Sequence, residues 1–326
     1  MADVFITGAT GFVGGALLRR LASGPRRVRA LVRHPAGKER VEDLGAEAVL
    51  GDLMDSESLE AGMAGCETVY HVAGLNAFCL REPSRLFRVN VDGSRNLIAA
   101  AARAGVRRAV YTSSAATLGE EPGTVGREDS KHRGWFLSAY ERSKCEAELA
   151  VCDLADRLGI PVVVVNPSSV QGPGRTTGTA RLLIRYLQGR LHVAVATSLS
   201  LVDVDDCVEG HLLAEERGRP GERYVLNGAT LSTAEALEML GRVAGIRRRV
   251  VFLPRRMALV AGTLAGGAAR MLRREASICR EAVRTLVHGH VYDGSRATRE
   301  LGLRYAPLEE TLRRTVVWYR RAGLVG

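Results

Sequence analysis

Short apolar runs alternate with amphipathic stretches through the first half of the chain. The runs fall near residues 3–8, 27–33, 46–51, 67–73, 107–113 and 161–166, with helical patterns between them. Strands separated in this way by helical stretches predict a parallel sheet with helices on both faces. The run Pro161-Val162-Val163-Val164-Val165 has no polar side, as a central strand covered on both faces requires. Beyond Pro167 the pattern loosens into the turn-rich segment Gln171–Gly178. Leu201–Val204 then predicts a strand returning to the large domain, with Asp205 capping a helix that ends at Arg217. Ser232-Thr233-Ala234-Glu235 reads as a capping box before a helix to about Ala244, and a helix over Leu308–Arg321 closes the chain.

This organisation predicts an α/β fold: a doubly wound parallel sheet of Rossmann type with a smaller C-terminal substrate-binding lobe. Residues 1–170, joined by 199–218, form the dinucleotide-binding domain, and 171–198 with 219–326 form the lobe. At 326 residues and 46% hydrophobic content, the chain can bury cores for both. The N-terminus enters the first strand without a basic, cleavable leader, which points to the cytoplasm. The six cysteines, at 66, 79, 145, 152, 207 and 279, show no C-x-x-C spacing and are expected as reduced thiols. No metal site is expected.

Charge changes the picture of the lobe. From Arg242 to Arg321 there are 18 arginines, no lysine and 6 acids, so this stretch carries more positive charge than the +10 of the whole chain. The chain holds 43 arginines against three lysines, and the basic stretch lacks interleaved stacking aromatics. Both features argue against nucleic acid as a partner. Within this stretch Met257–Ala269 is apolar between arginine pairs, yet shorter than the roughly 20 residues that span a bilayer. It is expected to cover the substrate, with a peripheral membrane-surface contact of the basic lobe as the alternative.

The chemistry rests on two motifs. Thr7-Gly8-Ala9-Thr10-Gly11-Phe12-Val13-Gly14 follows the first strand and opens an amphipathic helix. Glycines at that turn let the backbone approach a pyrophosphate that faces the helix N-terminal N–H groups. Tyr140-Glu141-Arg142-Ser143-Lys144 sets a phenol and an ammonium one helical turn apart, on one face. Hydride chemistry at a carbonyl needs a proton donor or acceptor on the oxygen, and a free phenol titrates near about 10. The lysine cation and the positive ring of a bound nicotinamide both favour the phenolate, so the two together are expected to lower the Tyr140 pKa.

The spacing Gly8-x-x-Gly11-x-x-Gly14, with Asp52-Leu53, His71-Val72-Ala73-Gly74, Thr112-Ser113-Ser114, the Tyr140/Lys144 pair and Asn166-Pro167-Ser168 in that order, resembles the extended short-chain dehydrogenase/reductase family, also called the epimerase/dehydratase family. Its nearest subgroups are similar to hopanoid-associated sugar epimerases and dihydroflavonol 4-reductases. The resemblance implies a catalytic Ser114, Tyr140 and Lys144. It implies cofactor contacts from Gly8, Thr10, Gly11, Phe12, Val13, Gly14, Asp52, Leu53, Ala73, Gly74 and Pro167, besides Tyr140 and Lys144. It also implies a homodimer through helices near Arg85–Ala104 and Ser138–Leu158, with Ala99–Ala102 as a small-residue face.

Departures from the family narrow the reaction. Ala115-Ala116 stand where dehydratases carry Asp-Glu, and no cation precedes Val202, where epimerases grip a diphosphate. The expected substrate is therefore a mainly apolar carbonyl or alcohol, walled by Phe78, Trp135, Phe136 and the helix from Met257; for a nucleotide sugar, Arg175, Arg181 or the basic lobe could replace the missing diphosphate partner. Nucleotide-sugar epimerisation is the alternative, and a non-catalytic dinucleotide sensor is a second. Arg33 ends the second strand, with His34, Lys38 and Arg40 following, so NADP(H) is favoured over NAD(H).

Overall fold

All five residues of the first strand, β1 (Asp3–Thr7), are buried. Its side chains alternate between two cores: Val4 and Ile6 join one, Phe5 the other. The computed structural model describes residues 3–260, 263 and 279–326. β1 lies in a parallel seven-stranded sheet with β2 (Val28–Val32), β3 (Glu47–Leu50), β4 (Cys66–His71), β5 (Arg108–Thr112), β6 (Val162–Pro167) and β10 (Arg223–Leu226). The strand order is β10-β6-β5-β4-β1-β2-β3. Order reverses between β1 and β4, and the carboxyl ends flanking such a reversal form the crevice in which doubly wound sheets bind ligands. The six strands read from the sequence are all present, each within two residues of its expected bounds.

Helices Phe12–Ala22 and Val204–Arg217 cover one face, with Leu17, Leu18, Cys207 and Leu213 in the core. Helices Ser56–Met63, Gly93–Arg103 and Ala139–Leu158 cover the other, burying Leu59, Leu97, Ile98, Ala147 and Val151. A third core, in the lobe, joins Leu183 and Tyr186 to Leu237, Leu240, Leu312, Val316 and Tyr319. The lobe's capping box is formed as expected: the Ser232 hydroxyl accepts from the Glu235 N–H while the Glu235 carboxylate accepts from the Ser232 N–H.

Three expectations are corrected. The strand at 201–204 is part of β9 (Ser198–Asp203), which pairs with β7 (Ser169–Gln171) and β11 (Ala229–Ser232) in a separate three-stranded sheet. Only the helix after it returns to the large domain, and its cap is Asp203, whose side chain accepts from the Asp205 N–H. Second, the boundary at 219 falls too early. β10 pairs with β6 through Tyr224↔Val165 and completes the large sheet. Neither difference is visible in a local pattern, because strand partners are chosen by tertiary contact.

Third, the cysteines are not all thiols. Cys79 and Cys279 form a disulfide across 200 residues of sequence, and 66, 145, 152 and 207 are free. Spacing carries no sign of a bridge whose two ends meet only in the folded chain. The remaining strands, β8 (Val193–Val195) and β12 (Val251–Leu253), make a two-stranded parallel sheet. The expected helix over Met257–Ala269 lies mostly outside the described residues. Residues 255–260 are helical, with Met257 58% exposed and Ala258 buried.

Candidate active site

The glycine turn is built for close approach. Gly8 has φ +76°, and a Cβ there would stand 2.6 Å from the Ala73 nitrogen. A Cβ at Gly14 would stand 2.1 Å from the Gly8 carbonyl oxygen. No side chain with a Cβ fits either place, which keeps the end of β1 against the end of β4. Gly11 caps the helix from Phe12 without a side-chain hydrogen bond. The free N–H groups of that first turn suit a pyrophosphate. Thr10 is exposed, Phe12 and Val13 half-buried, and Ala73 and Gly74 line the adjoining edge. The residues thus fit a dinucleotide on a property of the backbone itself.

Further along the same edge, the Asp52 carboxylate accepts from the Met54 N–H at 2.9 Å and fixes the turn after β3, with Leu53 buried beneath. Arg33 is exposed just beyond β2 and has no carboxylate partner among the described residues. Pro167 is the last residue of β6. At the end of β4, His71 is buried between the Thr7 hydroxyl at 2.8 Å and the Ser94 hydroxyl at 2.9 Å. Burial, with the charge of Lys144, pulls its pKa down to about 3, so it is neutral.

Ser138 caps the helix Ala139–Leu158 by accepting from the Glu141 N–H, which sets Tyr140 in its first turn and Lys144 in the next. The Lys144 ammonium donates to the Thr112 carbonyl at 2.9 Å and to the Tyr111 hydroxyl at 3.3 Å. Burial lowers its pKa to about 8, against the opposing charge of Glu148. Ser114 stands two residues past β5, capping the 3-10 turn Ala115–Leu118. Burial raises the Tyr140 pKa, while hydrogen bonding from Ser114 and the charge of Arg175 oppose the rise. This rise belongs to the protein alone; the expected lowering needs the nicotinamide charge beside the lysine and is a property of the loaded site. The lysine charge is directed at Thr112 and Tyr111, and desolvation of the phenolate dominates.

Several residues that support this site escaped sequence reasoning. Glu148, a further turn after Lys144, accepts from Ser113, from Thr117 at 2.8 Å and from the Asn166 amide at 2.8 Å, and pairs with Arg223 at 3.2 Å. Asn166 also donates to the Ser114 carbonyl at 3.2 Å. The placement of Ser114 thus rests on a buried network tying β5, β6 and β10 to the Tyr140 helix. The four-residue rhythm of Tyr140, Lys144 and Glu148 was the available signal. Asn90 accepts from the Leu75 N–H at 2.7 Å and donates to the Ser143 hydroxyl at 2.9 Å, holding the strand end beside Gly74.

The wall around Tyr140 is aromatic on one side and cationic on another. Phe78 lies 5.6 Å from the Tyr140 ring, and its neighbour Cys79 is tied to Cys279 at the start of helix Arg280–His288. Trp135 is 42% exposed, with Arg133 4.8 Å and Arg284 5.6 Å from its ring. Arg175 stacks on Phe12 at 5.3 Å, and its carbonyl accepts from Tyr319 at 2.9 Å.

A second buried group was also missed. Glu120 Oε1 lies 2.6 Å from His290 Nδ1 and 3.2 Å from His288 Nε2, and the Tyr292 hydroxyl is 2.8 Å from the same His290 nitrogen. Burial pushes the Glu120 carboxyl up, but the two imidazole hydrogen bonds prevail and hold it at about 2. The three side chains could meet on a cation. Buried Arg133, which donates to the Glu120 carbonyl at 3.3 Å, puts a fixed positive charge beside them that works against one.

A glycine-cradled crevice at a strand-order reversal, with a serine, a tyrosine and a lysine at its rim, defines a dinucleotide-dependent enzyme of the Rossmann class. The chain belongs to the NAD dependent epimerase/dehydratase family, whose model it matches over residues 4–226. It is 34% identical to a dihydroflavonol 4-reductase-like protein of Synechocystis sp., over 100% of this chain and 97% of that one. It is 32% identical to the 4-hydroxy-2-methyl-3-oxo-4-farnesyl-3,4-dihydroquinoline-1-oxide ketoreductase of Stigmatella aurantiaca, over 91% and 90%. Among solved structures it is similar to a nucleoside-diphosphate-sugar epimerase from Pseudomonas aeruginosa, with TM-score 0.81 and 25% identity over 100% and 99% of the two chains.

Proposed function

We propose that this protein is an NADP(H)-dependent oxidoreductase that reduces the carbonyl, or oxidises the alcohol, of a mainly apolar small molecule through Ser114, Tyr140 and Lys144. The observation that carries the reading is the Tyr140/Lys144 pair at the sheet edge with the Phe78 ring packed at 5.6 Å from the phenol. Relatives that share nearly the whole length are named for reductions, one of them of a farnesylated ketone. Bound, the dinucleotide supplies or accepts the hydride. Ser114 donates a hydrogen bond to the substrate oxygen and holds it in reach of Tyr140. In reduction Tyr140 gives its proton to that oxygen as the carbon accepts the hydride; in oxidation it takes the proton back. Lys144, protonated below its pKa of about 8, supplies the charge that stabilises the phenolate formed.

Nucleotide-sugar epimerisation is the second reading, favoured by one observation. Arg175, half-buried between Phe12 and Tyr140, is a cation available to a diphosphate despite the missing arginine before Val202. The test supplies UDP- and dTDP-sugars and a panel of lipophilic ketones in parallel. Stoichiometric NADPH oxidation with a lipophilic ketone is expected. Sugar epimerisation without net cofactor consumption would overturn the reductase reading.

A further inference from the structure

The small parallel sheet of β8 and β12 turns an apolar face to solvent. Val251 pairs with Val193, which puts both side chains on the same side, and they are 64% and 47% exposed. Phe252, 36% exposed, lies on the other side of the ribbon, and just past Pro254 the helical residues Met257 and Val260, one turn apart, are 58% and 61% exposed. A two-stranded sheet with so little cover is marginal in water by itself. Exposed apolar side chains gathered in one place, with polar groups around them, mark a contact surface.

The charge around this face says what it contacts. Arg247, Arg248 and Arg249 lead into β12, Arg255 and Arg256 leave it, and Arg190 precedes β8. All six are exposed, and none has a carboxylate partner among the described residues. The segments 190–195 and 247–260 contain no acid. A protein partner would be met by mixed charges and a polar rim. Exposed valines whose flanking segments carry arginines and no acid are complementary to a bilayer of anionic lipid: the valines enter the acyl boundary and the arginines meet the headgroups.

We infer that this face, centred on Val193 and Val251, docks the protein on an anionic lipid surface. The inference goes beyond the proposed reaction and does not depend on it. It makes the membrane the place where an apolar substrate would be met.

The test is co-sedimentation of the full chain with vesicles of phosphatidylcholine alone and of phosphatidylcholine mixed equally with phosphatidylglycerol. Binding to the anionic vesicles only, weakened by salt, is expected. Arg247→Glu with Arg249→Glu should weaken it more than tenfold, since each arginine near an anionic surface contributes roughly fivefold. Val193→Ser with Val251→Ser should weaken it as well, leaving a residual attraction that salt abolishes. Both variants alter exposed side chains, and unchanged thermal unfolding checks that each is folded. Equal binding by parent and variants, equal binding to both vesicles, or none to either would overturn the inference. Self-association lost in Val251→Ser, without vesicle binding, would assign the face to a second copy of the chain instead.

Discussion

The Lys144 ammonium donates to the Thr112 carbonyl at 2.9 Å. This one bond ties the end of the strand that leads to Ser114 to the helix that carries Tyr140. It fixes the lysine ammonium against the end of that strand, one helical turn along from Tyr140.

Tyr140→Phe and Lys144→Ala should each fold and lose most turnover, since a positioned acid or base contributes about 10² to 10⁴ in rate. Steady-state kinetics with far-UV circular dichroism as the control checks this. Turnover in Tyr140→Phe within about tenfold of the parent would refute the assignment.

Lys144 also sets a pH dependence of stability. Its pKa falls from 10.5 to about 8 through burial, so between these values the unfolded chain holds a proton that the folded protein has released. Stability therefore rises with pH across that window: the cost is present in full below pH 8 and is relieved towards 10.5. Relative to Lys144→Met, the parent should gain up to about 3 kcal/mol between about pH 7 and pH 10.5. Urea unfolding of both proteins across that range measures it, and parallel profiles would contradict it.

Arg33 is exposed and free of carboxylate partners among the described residues. NADPH should bind more tightly than NADH, and Arg33→Asp should shift preference towards NADH, because an acid there meets a ribose hydroxyl and repels a phosphate. Fluorescence titration decides; tighter NADH binding by the parent would sink the preference.

The Cys79–Cys279 bridge predicts thiol counts. Denatured without reductant, the chain should show the four free cysteines 66, 145, 152 and 207, and all six after reduction. Six without reductant would disprove the bridge.

A homodimer remains the proposed assembly. On helix Ala139–Leu158, Leu149 is 66% and Leu158 44% exposed, while Ala99 and Ala102 are half-buried on Gly93–Arg103. Ala100 and Ala101 turn into the core, so the small-residue face is narrower than the run of four alanines suggests. Light scattering should give twice the chain mass at micromolar concentration; a single-chain mass would refute it.

The chain's own pattern determined the large sheet and its dinucleotide cradle. Strand and helix periods, the glycine spacing at 8, 11 and 14 and the Tyr140/Lys144 turn are local, and each is written in adjacent residues. The same holds for the Ser232 capping box and the closing helix. Tertiary structure alone decided what depends on distant residues meeting. The recruitment of β10, the loss of β9 to another sheet, the Cys79–Cys279 bridge and the Glu120–His290 contact join residues that no spacing rule connects. So does the electrostatics of Tyr140, whose pKa is set by how deeply the folded chain buries it and by where Lys144 points, neither of which a sequence states.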